Sequence, residues 1–168
     1  TLMLFGHGAS GDRYQEPIAH LAGRFQSAGI VSLSIDGPIH GARKVGDGAR
    51  GAFFEEFARE TTIEDMLTDW NEANDLTQGL EDVNATKLAY MGLSMGSMYG
   101  IPLVASRPDM SVATLGLIGI NPGFPHGDKL LDYARQIDIP LFFLMQPEAE
   151  IFPRKGCLQG VYAFASPH

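Results

Sequence analysis

The sequence predicts an α/β fold in which a mostly parallel sheet is flanked by helices on both faces. Three observations lead to this prediction. Short apolar segments alternate along the chain with longer segments whose apolar residues recur at helical spacing. The apolar segments are nearly unbroken, as expected for parallel strands that are buried on both faces. Loops rich in glycine and proline separate one segment from the next.

Five segments are predicted as strands because each is short, apolar and bounded by turn residues. They are residues 2–5, 30–35, 87–91, 112–120 and 141–145. The predicted helices cover residues 17–28, 53–76, about 94–105, 130–137 and 153–164. Pro17 suits a first helical turn, Pro102 should kink or shorten the third helix, and Thr61-Thr62 marks a break in the second. Residues 39–51 are predicted as a long surface loop near the rim of a site.

Composition and charge narrow the class of protein. A chain of 168 residues fits one domain with a real core. The net charge is −8 and there is no Lys/Arg cluster, which disfavours nucleic-acid binding. The one cysteine excludes an internal disulfide and a CxxC zinc site. No apolar run approaches the roughly 20 residues that span a bilayer. We therefore expect a soluble, cytoplasmic domain without metal or cofactor, and both ends of the chain look cut.

A serine motif follows the third predicted strand. Residues 92–96 read Gly-Leu-Ser-Met-Gly, which matches G-x-S-x-G. In this pattern the serine occupies a strained strand-to-helix turn with its hydroxyl exposed, and small flanking residues allow strand and helix to approach closely. Ser94 is therefore the candidate nucleophile. The alternative is a glycine-rich turn that carries an ordinary serine.

Two further motifs follow the first and second predicted strands. They are His7-Gly8, and residues 36–41, which read Asp-Gly-Pro-Ile-His-Gly. With the serine motif they resemble the α/β-hydrolase superfamily, and within it the single-domain esterase and dienelactone-hydrolase-like branch. All three lie at carboxyl ends of strands, where open α/β sheets build their sites. The resemblance covers essentially all of the chain. It implies a fold that lacks the first strands and the last strand, since the family sheet has about eight strands.

The resemblance also implies the parts of an acyl-transfer site. Ser94 would attack a carbonyl group, and two backbone N–H groups would stabilise the oxyanion. One belongs to Met95, at a helix N-terminus where the helix dipole favours an anion. The other belongs to Ala9, in the loop after the first strand.

The remaining two members of a catalytic triad are harder to place. The family's acid follows the strand at residues 141–145, where Ala149 occupies the acid position between Glu148 and Glu150. We take Glu148 as the acid, and two solvated loop glutamates are the alternative. The family's base follows a further strand. His168 ends the chain, so the base is expected beyond it.

The other polar residues of these motifs are predicted to be structural. His7 should shape its loop, because fixing a loop needs only a hydrogen bond whereas a base must reach Ser94. Asp36 and His40 are expected to stabilise their turn. His20, on the first helix, is given no role. His126 is predicted as an exposed loop histidine, and the alternative is that it lines a pocket.

The predicted function is that of a serine hydrolase that cleaves a small carboxylic ester through an acyl-enzyme on Ser94. The sequence does not distinguish an esterase from a thioesterase, a lactonase or a peptidase. One alternative is a catalytically impaired member of the same fold. Another is a nucleotide-binding protein, since residues 6–11 read G-x-G-x-x-G. Asp12 after the last glycine and the late helix start at Pro17 argue against nucleotide binding. The oligomeric state is open.

Aromatic and methionine side chains are the remaining candidates for substrate contact. They could line an apolar pocket for an acyl or aryl group, or belong to the core, which is the commoner place for such residues on helices. They are Phe53, Phe54, Phe57, Met98, Tyr99, Phe124 and Phe152.

Overall fold

Five parallel strands form one sheet in the computed structural model, which describes residues 1–46, 50–83, 86–120, 123–146 and 154–164. The strands are β1 (Leu2–Gly6), β2 (Val31–Ser34), β3 (Leu88–Leu93), β4 (Met110–Gly116) and β5 (Leu141–Leu144). Their order is β2-β1-β3-β4-β5, and each neighbouring pair is parallel. All carboxyl ends therefore lie along one edge of the sheet, so the loops that carry the three motifs lie at the same edge.

In the described part of the chain, six α-helices connect or follow the strands. They are α1 (Ile18–Ser27), α2 (Arg50–Phe57), α3 (Thr62–Gln78), α4 (Met95–Ser106), α5 (Gly127–Arg135) and α6 (Arg154–Phe164). Phe25 of α1 packs on Phe5, and Trp70 of α3 packs on Tyr90. Phe5 and Tyr90 point to opposite faces, because Tyr90 is in register with Leu4 and successive strand residues alternate. Helices thus cover both faces, which confirms the predicted fold class.

Helix α4 is the central helix of the structure. Every residue from Met95 to Val104 is buried, and the helix contacts β1, β3, β4, α3 and α5. A helix that is apolar on all sides is expected only in such an interior position. It runs through Pro102 to Ser106, close to the predicted end. Burial of the helix from Met95 to Val104 fixes the position of its first residue and so of the turn that precedes it.

Three predicted elements differ from the structure. Residues 39–51 are not all loop, because Gly41–Arg43 form a short 3₁₀ helix and α2 begins at Arg50. Strand β4 ends at Gly116 instead of residue 120, since Leu117 adopts φ 53°. The apolar residues after it are nonetheless buried, which is why the sequence alone resembled a longer strand. Helix α5 begins three residues before the predicted start, at Gly127.

The described part of the chain contains no helix with the length and apolarity that a bilayer span requires.

Candidate active site

Ser94 occupies a strained turn between β3 and α4. Its backbone has φ 57° and ψ −118°, a conformation that costs a residue with a side chain about 1–3 kcal/mol. The Ser94 N–H donates to the Gly116 carbonyl oxygen at 2.9 Å, which ties the turn to the end of β4. We call residues 92–96 the Ser94 turn. Ser94 is partly buried and lines a cavity of about 230 Å³.

The two glycines of the Ser94 turn lie where backbones meet. A Cβ on Gly92 would lie 2.5 Å from the Gly96 carbonyl oxygen, and a Cβ on Gly96 would overlap the Gly6 carbonyl. Gly6 itself lies against the Tyr90 side chain. The backbones of β1, β3 and α4 therefore approach one another as closely as the motif predicts.

Two buried hydroxyl groups support the Ser94 turn and were not singled out in the sequence. The Tyr90 hydroxyl donates to the Gly96 carbonyl oxygen at 2.6 Å, and complete burial raises its pKa. Ser97 Oγ lies 2.7 Å from the carbonyl oxygens of both Gly92 and Gly116, and it accepts the Gly116 N–H at 2.8 Å. A sequence signal that could have identified them is a hydroxyl residue within an otherwise apolar strand or helix, because a buried hydroxyl group needs a hydrogen-bond partner.

The loop from His7 to Gly11, which we call the β1–α1 loop, lies beside the Ser94 turn because Gly6 is in register with Gly92. His7 is buried, and its Nε2 accepts the Gly37 N–H at 2.8 Å. The other ring nitrogen, Nδ1, donates to the Gly8 carbonyl oxygen at 2.8 Å. Burial is the main cause that lowers the pKa of His7. A neutral ring with both nitrogens engaged holds the loop, which is the role expected for His7.

The chain neighbours of the predicted oxyanion donors lie around one cavity. Gly8, Ser10 and Ser94 line the same cavity. No acceptor for the Ala9 N–H is found among the residues that the structure describes. The Met95 N–H is the first of α4, and the first N–H groups of a helix have no partner within it. Ala9 and Met95 do not themselves line this cavity, although each is adjacent in the chain to residues that do, so their role as oxyanion donors stays a prediction.

Asp36 and His40 stabilise the turn after β2. Asp36 accepts the N–H groups of Arg13 and Ala42, at 3.0 and 2.9 Å, and pairs with the Arg13 guanidinium. Burial alone would raise the pKa of Asp36, but these hydrogen bonds and the Arg13 charge outweigh it and lower the pKa. The His40 ring nitrogens lie 2.7 Å from the Pro38 carbonyl oxygen and 3.1 Å from that of Ala9. This turn therefore packs directly on the β1–α1 loop.

His126 is not an exposed loop histidine as predicted. It is partly buried, its Nε2 lies 3.0 Å from the Arg59 carbonyl oxygen, and its ring contacts Phe57 edge-on. Packing between the start of α5 and the end of α2 explains this burial. His126 also lines a surface cavity of about 700 Å³. His20 is exposed on α1, in agreement with the absence of a predicted role.

Several predicted site residues lie outside the described part of the chain. They are Glu148, Ala149, Glu150, Phe152 and His168. The acid and the base therefore remain predictions. Among the residues that are described, no group of three His, Cys, Asp or Glu side chains is arranged to hold a metal ion.

The aromatic and methionine candidates for substrate contact belong mainly to the core. Phe53, Phe57, Met98 and Tyr99 are buried in the main hydrophobic cluster, and Phe54 and Phe124 pack against it. None of these six side chains lines the Ser94 cavity, whose apolar walls come instead from β1, β3 and α1. The core interpretation, left open by the sequence, is the one that the structure favours.

No protein-family model and no curated protein matches the chain, whereas its structure resembles those of solved esterases. A cold-adapted esterase from an Arctic intertidal metagenomic library is 31% identical, with a TM-score of 0.82 over 96% of this chain and 67% of that one. The Pyrococcus furiosus esterase Pf2001 is 14% identical, with a TM-score of 0.68 over 98% of this chain and 68% of that one. Est1E from Butyrivibrio proteoclasticus is also 14% identical, with a TM-score of 0.70 over 97% of this chain and 75% of that one.

The two more distant structures support the fold alone. The Arctic esterase adds sequence identity over nearly all of this chain, and the chain spans about two thirds of the length of that enzyme. The order of the sequence motifs, the parallel sheet and the similarity to this esterase all indicate the same family. The chain belongs to the esterase-like proteins of the α/β-hydrolase superfamily.

Proposed function

We propose that this chain carries the nucleophile and the oxyanion-binding groups of a serine hydrolase that acts on small carboxylic esters. The observation that carries the proposal is the placement of Ser94. It occupies a strained turn at the carboxyl edge of a parallel sheet, on a cavity that it shares with the β1–α1 loop. Similarity to a solved esterase supports the same reaction class.

The proposed reaction passes through an acyl-enzyme. Ser94 Oγ attacks the ester carbonyl while its proton passes to a general base, and the N–H groups of Ala9 and Met95 stabilise the oxyanion. When the tetrahedral intermediate collapses, the ester C–O bond breaks and the leaving alcohol takes the proton from the base. Water then attacks the acyl group by the same steps and releases the carboxylic acid. We propose Glu148 as the acid and a histidine encoded beyond His168 as the base.

A catalytically impaired hydrolase is the second candidate function. The observation that favours it is Ala149, which occupies the position where the family carries its acid. Nucleotide binding finds less support. Helix α1 begins at Ile18, well after the glycine-rich loop, so its N-terminus does not face that loop as a phosphate site requires. The Gly8 N–H, which could otherwise contact a phosphate, is used by the Gln15 side chain.

Fluorophosphonate labelling tests the proposal directly. The reagent phosphonylates an activated serine, so it should label the wild-type protein when the proposed base is present, and Ser94→Ala should abolish the label. Ser27→Ala changes an exposed serine on α1 and should label like the wild type. The measurement should use this chain and a version extended at its carboxyl end to include the proposed base. Lack of labelling of the extended version, or label that survives in Ser94→Ala, would contradict the proposal.

A further inference from the structure

The side chain of Gln15 contacts the β1–α1 loop on both sides of Ala9. Its Oε1 accepts the Gly8 N–H at 3.1 Å, and its Nε2 donates to Ser10 Oγ at 2.8 Å. One amide group thus connects the residues immediately before and after the proposed oxyanion donor. Gln15 also lines the cavity that contains Ser94.

The Gln15 backbone is itself fixed just before α1. Its N–H donates to the Asp12 carbonyl oxygen at 2.9 Å, and its carbonyl oxygen accepts the Ile18 N–H at 2.8 Å. Gly11 leaves room for the side chain, because a Cβ at that position would lie 2.6 Å from Gln15 Cδ. The Gln15 amide therefore links the β1–α1 loop to the start of α1.

Histidine side chains hold the opposite side of the same loop. His7 Nδ1 donates to the Gly8 carbonyl oxygen, and His40 Nε2 lies 3.1 Å from the Ala9 carbonyl oxygen. With Gln15 on the Gly8 N–H, the peptide groups on both sides of Ala9 are restrained. The Ala9 N–H is left without an acceptor in the described part of the chain, as an oxyanion donor should be before substrate binds.

We propose that Gln15 is a positioning residue that holds the Ala9 N–H ready to stabilise the oxyanion. This inference rests on the proposed function of Ser94 and Ala9. Gln15 does not touch the reacting atoms, so it acts on the rate through the geometry of the loop. An oxyanion donor contributes its full effect only when the surrounding side chains hold it within a fraction of an ångström.

The test compares Gln15→Met with Gln26→Met in the protein that contains the proposed base. Methionine has nearly the size of glutamine but lacks both amide contacts, and Gln26 is an exposed residue of α1. With a p-nitrophenyl ester, Gln15→Met should lower kcat by about 10- to 100-fold and change KM by less than about 3-fold. Affinity for a trifluoromethyl ketone, whose hemiketal oxyanion occupies the same place, should fall by the same factor as kcat/KM. Gln26→Met should match the wild type.

A second variant covers the case in which Gln15→Met fails to fold. Gly11→Ala keeps the glutamine but displaces its side chain, so it should produce the same selective loss of kcat. Unchanged kcat in a folded Gln15 or Gly11 variant would overturn the inference, as would a loss that only follows the folded fraction. If the wild type and Gln26→Met neither cleave the ester nor bind the ketone, the proposed function fails, and the inference fails with it.

Discussion

The Ser94 turn and the β1–α1 loop meet at one cavity but are held in place by different kinds of interaction. The Ser94 turn is fixed mainly by close contact of backbones, since neither Gly92 nor Gly96 has room for a Cβ. The β1–α1 loop is fixed by hydrogen bonds of side chains, from its own residue His7 and from Gln15 and His40 outside it. The first arrangement depends on backbones in contact, and the second depends on hydrogen bonds of polar side chains, of which His7 and His40 are buried.

This difference separates stability from reactivity. A change in the Ser94 turn should disturb the packing of β1, β3 and α4, and therefore the stability of the whole fold. A change in the β1–α1 loop after the buried His7 should leave the core intact and alter the position of the proposed oxyanion donor. Three predictions test the contrast, in addition to the labelling and Gln15 experiments.

The largest effect is expected at Gly96. In Gly96→Ala the new methyl group overlaps the Gly6 carbonyl, so β1 and α4 must separate. We expect the free energy of unfolding in urea to fall by about 3 kcal/mol. Gly8→Ala is the matched control from the loop, because its nearest neighbour, Gln15 Oε1, would lie at an ordinary 3.5 Å. Equal destabilisation by the two substitutions would refute the contrast.

A smaller loss of stability is expected at Tyr90. Tyr90→Phe removes the buried hydroxyl that donates to the Gly96 carbonyl oxygen and leaves that acceptor without this partner. We expect a decrease of about 1–3 kcal/mol in the free energy of unfolding. Tyr14→Phe removes an exposed hydroxyl and should change stability by less than about 0.5 kcal/mol. A Tyr90→Phe protein as stable as wild type would show that the hydroxyl does not support the turn.

The third prediction concerns pH and the β1–α1 loop. Burial lowers the pKa of His7 below its ordinary value of 6.5, so the folded chain is harder to protonate there than the unfolded chain. The contribution of His7 to stability is complete above pH 6.5, the ordinary pKa, and is lost as the pH falls toward the lowered pKa of the folded chain.

Urea unfolding at several pH values between 7.5 and 5 measures this effect. The wild type should lose stability over this range, and His7→Gln should lose less because it lacks the titrating ring. Asp36 adds a separate loss at lower pH, since its pKa also lies below the ordinary 3.8 and its stabilising ionised form disappears on protonation. An identical dependence on pH in wild type and His7→Gln would contradict the assignment.

Much of the fold could be predicted because strands and helices follow from local patterns in the sequence. Apolar runs identified all five strands, and the Thr61-Thr62 pair marked the break between α2 and α3. The sequence predictions were wrong where a residue is buried without belonging to the element that its residue type suggests. Ile118 and Ile120 are apolar because they pack inside, not because they continue β4. His126 is polar, yet it packs against Phe57, which lies far away in sequence.

The sequence by itself determined the order of elements and the geometry of the Ser94 turn, because the residues that must be small are its own neighbours, Gly92 and Gly96. Only the tertiary structure decided which side chains hold the opposite half of the site. The contacts of Gln15 and His40 with the β1–α1 loop depend on how α1 and the turn after β2 pack against the sheet. Such contacts join residues without fixed spacing, so a local pattern cannot encode them.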